Sequence, residues 1–302
     1  MCRLARPAII LVTALCALTL AEREALAQKQ DGLVLALYAP TIPFKDTASQ
    51  HTYLKLLADA IASNVGRRVE PRLYRSLVEL RKAEPDLAIV EPQCATAGSP
   101  WQAIATARIG GRQSRRWALY GSRGQTVSSL RGRRLAVAWS GCKDKPFIEN
   151  VLFASEVRLP YFGGTSPKTT VTGAVAEVAS VRAAQAVLAP EAQGGALAKL
   201  FDAGEMPNPV LVVTNPRLAS PLVDKIREAV VQFGSSGSID GWGPTDRGAL
   251  AALGRQLRGV PRRFVFAPPP PPKLRLKSLL RIAEDETASL SLRGYFAVDA
   301  GR

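Results

Sequence analysis

Short apolar segments alternate with helix-like periodic segments along most of this chain. Residues 33–39 and 86–90 are apolar runs of strand length. Between them, apolar side chains recur at helical spacing from Tyr53 to Val65, after a capping Asp46 and before Gly66. Strands that alternate with helices predict a parallel α/β sheet.

The same alternation repeats in the second half of the chain, which predicts two α/β lobes with a cleft between them. Predicted strands cover residues 33–39, 69–74, 86–90, 102–108, 116–120, 134–139, 169–172, 184–189 and 210–214. Predicted helices cover residues 46–65, 77–82, 146–157, 175–181, 220–233 and 247–257. Ligands of open α/β sheets bind outside the carboxyl ends of the strands. These ends are residues 38–44, 91–95, 139–143 and 189–191.

The first 27 residues have the pattern of a secretory signal peptide. A basic start precedes an apolar run over residues 8–21, and Ala25-Leu26-Ala27 forms a small-x-small cleavage site. The mature chain then begins near Gln28, in the periplasm or outside the cell. The alternative is an N-terminal membrane anchor, although the apolar run is short for a transmembrane span.

The chain is strongly basic. Its formal net charge is +15, and it becomes +14 after cleavage because the leader carries three Arg and two Glu. Such a charge indicates anionic partners, and nucleic acid fits an exported protein poorly. The basic stretch 108–134 predicts contact with an anionic envelope surface; a solvated face is the alternative.

Two cysteines, Cys94 and Cys142, remain after removal of the leader. Both fall at predicted strand ends, one in each lobe. In an oxidising compartment they could form a disulfide that ties the lobes together, or they could be two separate thiols.

The sequence does not indicate an enzyme. His51 is the only histidine and lies within a helical pattern. The sequence contains no zinc-ligand cluster, G-x-S-x-G elbow, phosphate loop or nucleotide fingerprint. We therefore expect no catalytic residue, no metal and no cofactor.

Several segments carry a family resemblance. Residues 128–138, Ser-Ser-Leu-Arg-Gly-Arg-Arg-Leu-Ala-Val-Ala, are the most specific of them, and segments 86–92, 207–213 and 217–222 support the same match. Over roughly residues 32–257 the chain resembles the periplasmic solute-binding proteins of ABC transporters, phosphate/phosphonate-type. The resemblance implies an α/β, two-lobed type 2 periplasmic-binding-protein fold that closes on a ligand by hinge motion.

The resemblance also implies a domain layout. The first lobe comprises residues 28–107 and 210–266, and the second comprises residues 108–209. Residues 267–302 form a Pro-rich spacer and a basic tail.

The resemblance, together with the strand ends, predicts a monomer that captures a small phosphate- or phosphonate-like anion for an inner-membrane ABC permease. The expected ligand-binding residues are Tyr38, Thr41, Glu91, Gln93, Ser140, Gly141, Lys143 and Glu191. Backbone N–H groups near Ser140–Lys143 and the Lys143 charge would hold the anion. The alternative is a repurposed binding-protein domain that acts as an envelope interaction or sensor module.

Overall fold

The computed structural model describes residues 32–96, 100–235 and 237–259. The predicted signal peptide and the 267–302 tail lie outside these described residues. Within them the chain forms two mixed sheets of six and five strands, each flanked by helices. We call each sheet, with the helices that pack on it, a lobe.

The first lobe is built on a six-stranded sheet in the order β11-β4-β10-β3-β1-β2. Its strands are β1 Leu33–Tyr38, β2 Val69–Leu73, β3 Leu87–Val90, β4 Gln102–Arg108, β10 Val210–Val213 and β11 Gly241–Pro244. Strand β1 pairs in parallel with both β2 and β3. Strand β10 returns from the second lobe and pairs antiparallel with β3 and β4.

The second lobe is built on a five-stranded sheet in the order β7-β6-β8-β5-β9. Its strands are β5 Ser114–Gly121, β6 Leu135–Ala138, β7 Thr165–Lys168, β8 Ala186–Pro190 and β9 Ala198–Pro207. Strand β6 pairs in parallel with β7 and β8, and β5 pairs antiparallel with β8 and β9. The central strands of both sheets are short and fully buried.

In the described part of the chain, six α-helical segments flank the sheets. They are α1 Thr47–Val65, α2 Leu77–Ala83, α3 Asp144–Pro146, α4 Val171–Ala176, α5 Ser220–Gln232 and α6 Arg247–Arg258. Helix α3 continues as a π-helical segment over Phe147–Leu152, and α4 continues as another over Glu177–Val181. Short 3₁₀ turns lie at Pro92–Ala95, Ser128–Leu130, Leu159–Tyr161 and Glu191–Gln193. Among the described residues, no helix has the length and apolar character needed to cross a membrane.

Local chemistry sets the helix ends as the sequence predicts. Asp46 caps α1 through a reciprocal capping box with Ser49, and Gly66 ends it in the left-handed conformation. Each lobe has its own apolar core, with Trp242 buried in the first and Trp117 in the second.

Most predicted elements are confirmed, but three strands differ. The predicted strand at 169–172 is wrong, because strand β7 lies at Thr165–Lys168 and helix α4 already begins at Val171. Strands β9 and β11 were not predicted. Helix α6 buries Leu253 and Leu257 in the core of the second lobe, whereas Leu250 packs in a cluster with Val90 and Val212 of the first.

Candidate functional site at the lobe junction

The carboxyl ends of β1 and β3 in the first lobe meet the segments that follow β6 and β8 in the second. Parallel strands present their carboxyl ends at one edge of a sheet, so the loops after them converge. We call the resulting contact the lobe junction. It is formed by Tyr38, Thr41, Glu91, Gln93, Arg115, Ser140 and Asp144. Five of the predicted ligand-binding residues therefore lie together.

The predicted anion cradle is occupied by a carboxylate of the chain itself. Ser140 N donates to Asp144 Oδ1 at 2.8 Å, and Gly141 N donates to Asp144 Oδ2 at 2.7 Å. The Ser140 hydroxyl donates to Asp144 Oδ1 at 2.6 Å and accepts from Cys142 N at 3.1 Å. Three of the backbone N–H groups expected to hold a bound anion, those of Ser140, Gly141 and Cys142, are thus already paired in this structure.

Lys143 stands at the entrance of α3 in the left-handed conformation, with φ 53°. Its Nζ donates to Thr96 Oγ1 at 3.3 Å, and Thr96 belongs to the first lobe. The Lys143 ammonium group therefore lies at the rim of the junction, on the side of Cys142.

A second buried carboxylate, Glu91, belongs to the first lobe and is 2% exposed. Its Oε1 accepts from Thr41 N at 2.8 Å and its Oε2 accepts from Thr41 Oγ1 at 2.9 Å. Arg115 of the second lobe donates to Thr41 O and to Thr41 Oγ1, both at 2.9 Å, and to Asn208 Oδ1 at 2.6 Å. The Arg115 guanidinium therefore binds across the junction to the loop that holds Glu91.

Three further hydrogen bonds join the lobes. The Tyr38 hydroxyl donates to Trp139 O at 2.9 Å. Gln193 Nε2 donates to Thr41 O at 3.0 Å, and Val171 N donates to Pro40 O at 3.0 Å. Each one joins the first lobe to a different segment of the second, so the lobes are in contact at several points.

Gln93 also spans the junction. Its Nε2 donates to Ser140 Oγ at 3.0 Å. The orientation of the Gln93 amide follows from the network: since the Ser140 hydroxyl gives its proton to Asp144, it can only accept from Gln93. Gln93 Oε1 is buried and has no hydrogen-bond partner.

Cys94 and Cys142 are bonded to each other, with a sequence separation of 48. Cys94 follows β3 of the first lobe and Cys142 follows β6 of the second, and both are buried. The bond is a covalent link between the lobes, beside Gln93 and Ser140.

Glu191, also expected in the site, lies elsewhere. Its side chain is exposed and pairs with Lys199 Nζ at 2.5 Å. Gln193, two residues further on, reaches the junction instead, through its bond to Thr41. Arg115 and Asp144 are the junction residues that sequence reasoning missed. An Asp four residues after Ser140 could have been recognised, because Asp side chains readily accept from nearby backbone N–H groups.

The centre of the junction carries more negative than positive charge, with two carboxylates against the one guanidinium of Arg115. Burial raises the pKa of Glu91 above its ordinary value, although Arg115 and Thr41 partly offset this. Burial, with the nearby Asp144 and Glu91, raises the pKa of Tyr38 to about 12. Burial also lowers the pKa of Arg115 to about 10, so the guanidinium stays charged at neutral pH. This environment does not favour a further anion.

Open space remains at the edges of the junction. One cavity of about 580 Å³ lies beside the disulfide and is lined by Arg81, Gln93, Trp101 and Lys143, among others. Another, of about 480 Å³, is lined by Tyr38, Tyr74 and Arg75, among others. The two cavities lie at the rim, where a ligand could enter without parting the lobes.

The basic stretch 108–134 is not one uniform surface. Arg115 hydrogen-bonds to Thr41 at the lobe junction, and Arg116 pairs with Asp202 at 2.6 Å. Arg131 lies over the ring of Tyr161, with its guanidinium carbon 5.5 Å from the ring centroid. The remaining arginines of the stretch are exposed: Arg108, Arg112, Arg123, Arg133 and Arg134.

No protein-family model matches the chain, and no curated protein matches its sequence. Solved structures do match its fold. One is XAC2383 from Xanthomonas citri bound to ATP, with a TM-score of 0.59 and 14% identity, over 76% of this chain and 98% of that one.

Two further solved structures are phosphonate-binding proteins. PhnD1 from Prochlorococcus marinus, in complex with methylphosphonate, matches with a TM-score of 0.58 and 11% identity, over 76% of this chain and 99% of that one. A binding-protein component of an ABC phosphonate transporter from Pseudomonas aeruginosa matches with a TM-score of 0.58 and 12% identity, over 76% of this chain and 86% of that one. The chain therefore has the two-lobed α/β fold of the periplasmic binding proteins of ABC transporters.

Proposed function

We propose that this protein is an exported, non-enzymatic binding protein that works with its lobes joined, as an envelope interaction or sensor module. A transport shuttle must open to release its ligand to a permease. The Cys94–Cys142 bond opposes that opening, and it is the observation that carries the proposal.

The polar contacts of the junction support the same function. Asp144 occupies the backbone donors that would hold a phosphonate head, and Glu91 is buried against Thr41. An incoming anion would have to displace a carboxylate and would meet a second one close by. The junction residues thus act as contacts between the lobes.

The predicted export agrees with the proposal. A disulfide persists in an oxidising compartment, which agrees with the predicted leader and cleavage near Ala27. In this proposal the protein is a monomer with the two lobes predicted above, and residues 267–302 provide a spacer and a basic tail. The exposed arginines of 108–134 would face the anionic envelope surface.

The second candidate function is capture of a small phosphate- or phosphonate-like anion for an ABC permease. The fold likeness to proteins solved with methylphosphonate and with ATP favours it, since both ligands are anions. For this function the Cys94–Cys142 bond would have to be reduced and the Asp144 carboxylate would have to leave Ser140 and Gly141.

A thiol assay and solution scattering separate the two functions. We expect the exported protein to contain no free thiol, and its radius of gyration to stay unchanged when methylphosphonate or phosphate is added. The Cys94→Ala, Cys142→Ala variant provides the unlinked comparison.

Two free thiols, with a radius of gyration that falls on adding methylphosphonate, would support transport and overturn the sensor proposal. In that case the Ser140→Ala, Lys143→Ala variant should lose methylphosphonate binding.

A further inference from the structure

We propose that the cavity of about 580 Å³ beside the Cys94–Cys142 bond is a binding site for a small organic dianion that also carries a hydroxyl group. The inference rests on the proposed function, because a sensor with joined lobes needs a ligand site that is reached without opening them. The cavity lies at the rim and meets that condition.

The charge of the lining indicates an anionic ligand. Two cations, Arg81 of the first lobe and Lys143 of the second, contribute to the wall, and none of the described residues that line it is a carboxylate. Within the part of the chain that the structure describes, neither cation forms a salt bridge. A ligand with two negative charges would pair with both, through charge-assisted hydrogen bonds.

The two cations are held in place by other contacts. The Arg81 guanidinium carbon lies 5.6 Å from the centroid of the Trp101 ring, a cation–π arrangement. Lys143 Nζ uses one donor on Thr96 Oγ1 and has two protons left. Both groups are therefore positioned before a ligand arrives, which lowers the entropic cost of binding.

The hydroxyl requirement comes from Gln93. Gln93 lines this cavity, and its bond to Ser140 fixes the orientation of its amide. The other amide atom, Oε1, is buried and has no hydrogen-bond partner. An unpaired buried acceptor is costly, and a donor that reaches it recovers that cost. Sulfate offers only acceptors, whereas a hydroxylated organic phosphate offers both charge and donor.

The position of the cavity places a bound ligand next to the disulfide. Cys94 and Cys142 line the same space as the two cations. A ligand bridging Arg81 and Lys143 would join the two lobes a second time, next to the covalent bond. Binding would then stabilise the joined state over the separated one.

Titration calorimetry on the oxidised, exported protein tests this site with three probes at equal ionic strength. Glycerol 3-phosphate has the charge and the donor, sulfate has the charge alone, and glycerol has the donor alone. We expect saturable binding of glycerol 3-phosphate, at least tenfold weaker binding of sulfate, and no measurable binding of glycerol.

Two variants and a matched control locate the site. Arg81→Gln removes one charge, and Lys143→Asn removes the other with a residue that tolerates the left-handed conformation. Each should weaken glycerol 3-phosphate binding at least about tenfold, the loss of one charge-assisted contact. Lys82→Gln, on the same helix as Arg81 but outside the cavity lining, should change the affinity less than twofold.

Absence of glycerol 3-phosphate binding, or equal affinity in wild type and both variants, would overturn the site. Equal affinity for sulfate would overturn the hydroxyl requirement. Neither result bears on whether the lobes are joined, because the thiol assay and the scattering measurement decide that separately.

Discussion

Removing the bond between the lobes should lower the free energy of unfolding by about 4 kcal/mol. The change is Cys94→Ala with Cys142→Ala. Alanine is preferred to serine because both cysteines are buried, and an unpaired hydroxyl at either position would add its own desolvation cost.

The magnitude follows from the length of chain that the bond closes. With a sequence separation of 48, the chain-entropy relation gives an unfolded-state constraint of about 14 cal/mol/K, or about 4 kcal/mol at 25 °C. The hydrogen bonds of the lobe junction stay in place in the variant, so the entropic effect accounts for most of the difference.

Guanidinium denaturation followed by tryptophan fluorescence measures the effect. Trp242 is buried in the first lobe and Trp117 in the second, so the signal reports unfolding of both. We expect the variant to unfold at a midpoint lower by about 1 M. Dithiothreitol should shift the wild type to the variant's midpoint and leave the variant itself unchanged.

A variant within about 1 kcal/mol of the wild type would refute this reasoning, since loop-closure entropy of this size could not then be present. The same would follow from a dithiothreitol effect that persists in the variant. A smaller loss accompanied by two separate transitions would show that the bond couples the lobes more than it stabilises them.

The remaining predictions concern the buried charges of the junction. Asp144→Ala should cost about 3 kcal/mol in a denaturation experiment, because it leaves two backbone N–H groups and a hydroxyl unpaired, and Asp144→Asn should cost less; equal losses would contradict this. Arg115→Met should cost about 1–3 kcal/mol by removing the hydrogen bonds to Thr41 and Asn208. Adding Glu91→Gln should recover part of the loss, because the Arg115 charge favours the ionised form of Glu91; a strictly additive double variant would rule out this coupling. Because burial raises the pKa of Glu91 above 4.5, the folded protein keeps a proton that the unfolded chain has released, and stability falls as pH rises from about 4.5 through the folded-state pKa. Melting curves from pH 4 to 7 should show this fall in the wild type relative to Glu91→Gln, and parallel curves would contradict it.

The architecture could be predicted because its central strands are recognisable in the sequence. Strands β1, β3, β6 and β8 are short apolar runs bounded by loop residues, and such runs indicate buried parallel strands. Strand β9, by contrast, is an edge strand with mixed polarity and partial burial. Strand β11 reads Gly-Trp-Gly-Pro and is extended only because it pairs with β4. Both depend on a neighbour in space, which the local pattern does not contain.

At the junction, too, residues placed by the local sequence could be predicted, and residues placed by contacts with distant parts of the chain could not. Tyr38, Glu91 and Ser140 follow buried strands, so their convergence could be predicted. Arg115 acts through Thr41, which is 74 residues away in the chain. Glu191 was expected in the site by its position after β8, but the turn directs its side chain to Lys199. Which residue faces the junction depends on the conformation of the turn that follows the strand. Packing in the folded protein sets that conformation.

The hydrogen bonds at the centre of the junction indicate why ligand recognition would move to its rim. Both oxygens of Glu91 and both oxygens of Asp144 are already engaged, and the donors that reach them are the groups a bound anion would need. A central ligand would have to break several of these bonds together and leave a buried carboxylate unpaired, which is strongly unfavourable. At the rim, Arg81 and Lys143 have no salt-bridge partner among the described residues, and Lys143 has two ammonium protons left for a ligand beside its bond to Thr96. The same fold can therefore hold its lobes together and still offer a site for an anion.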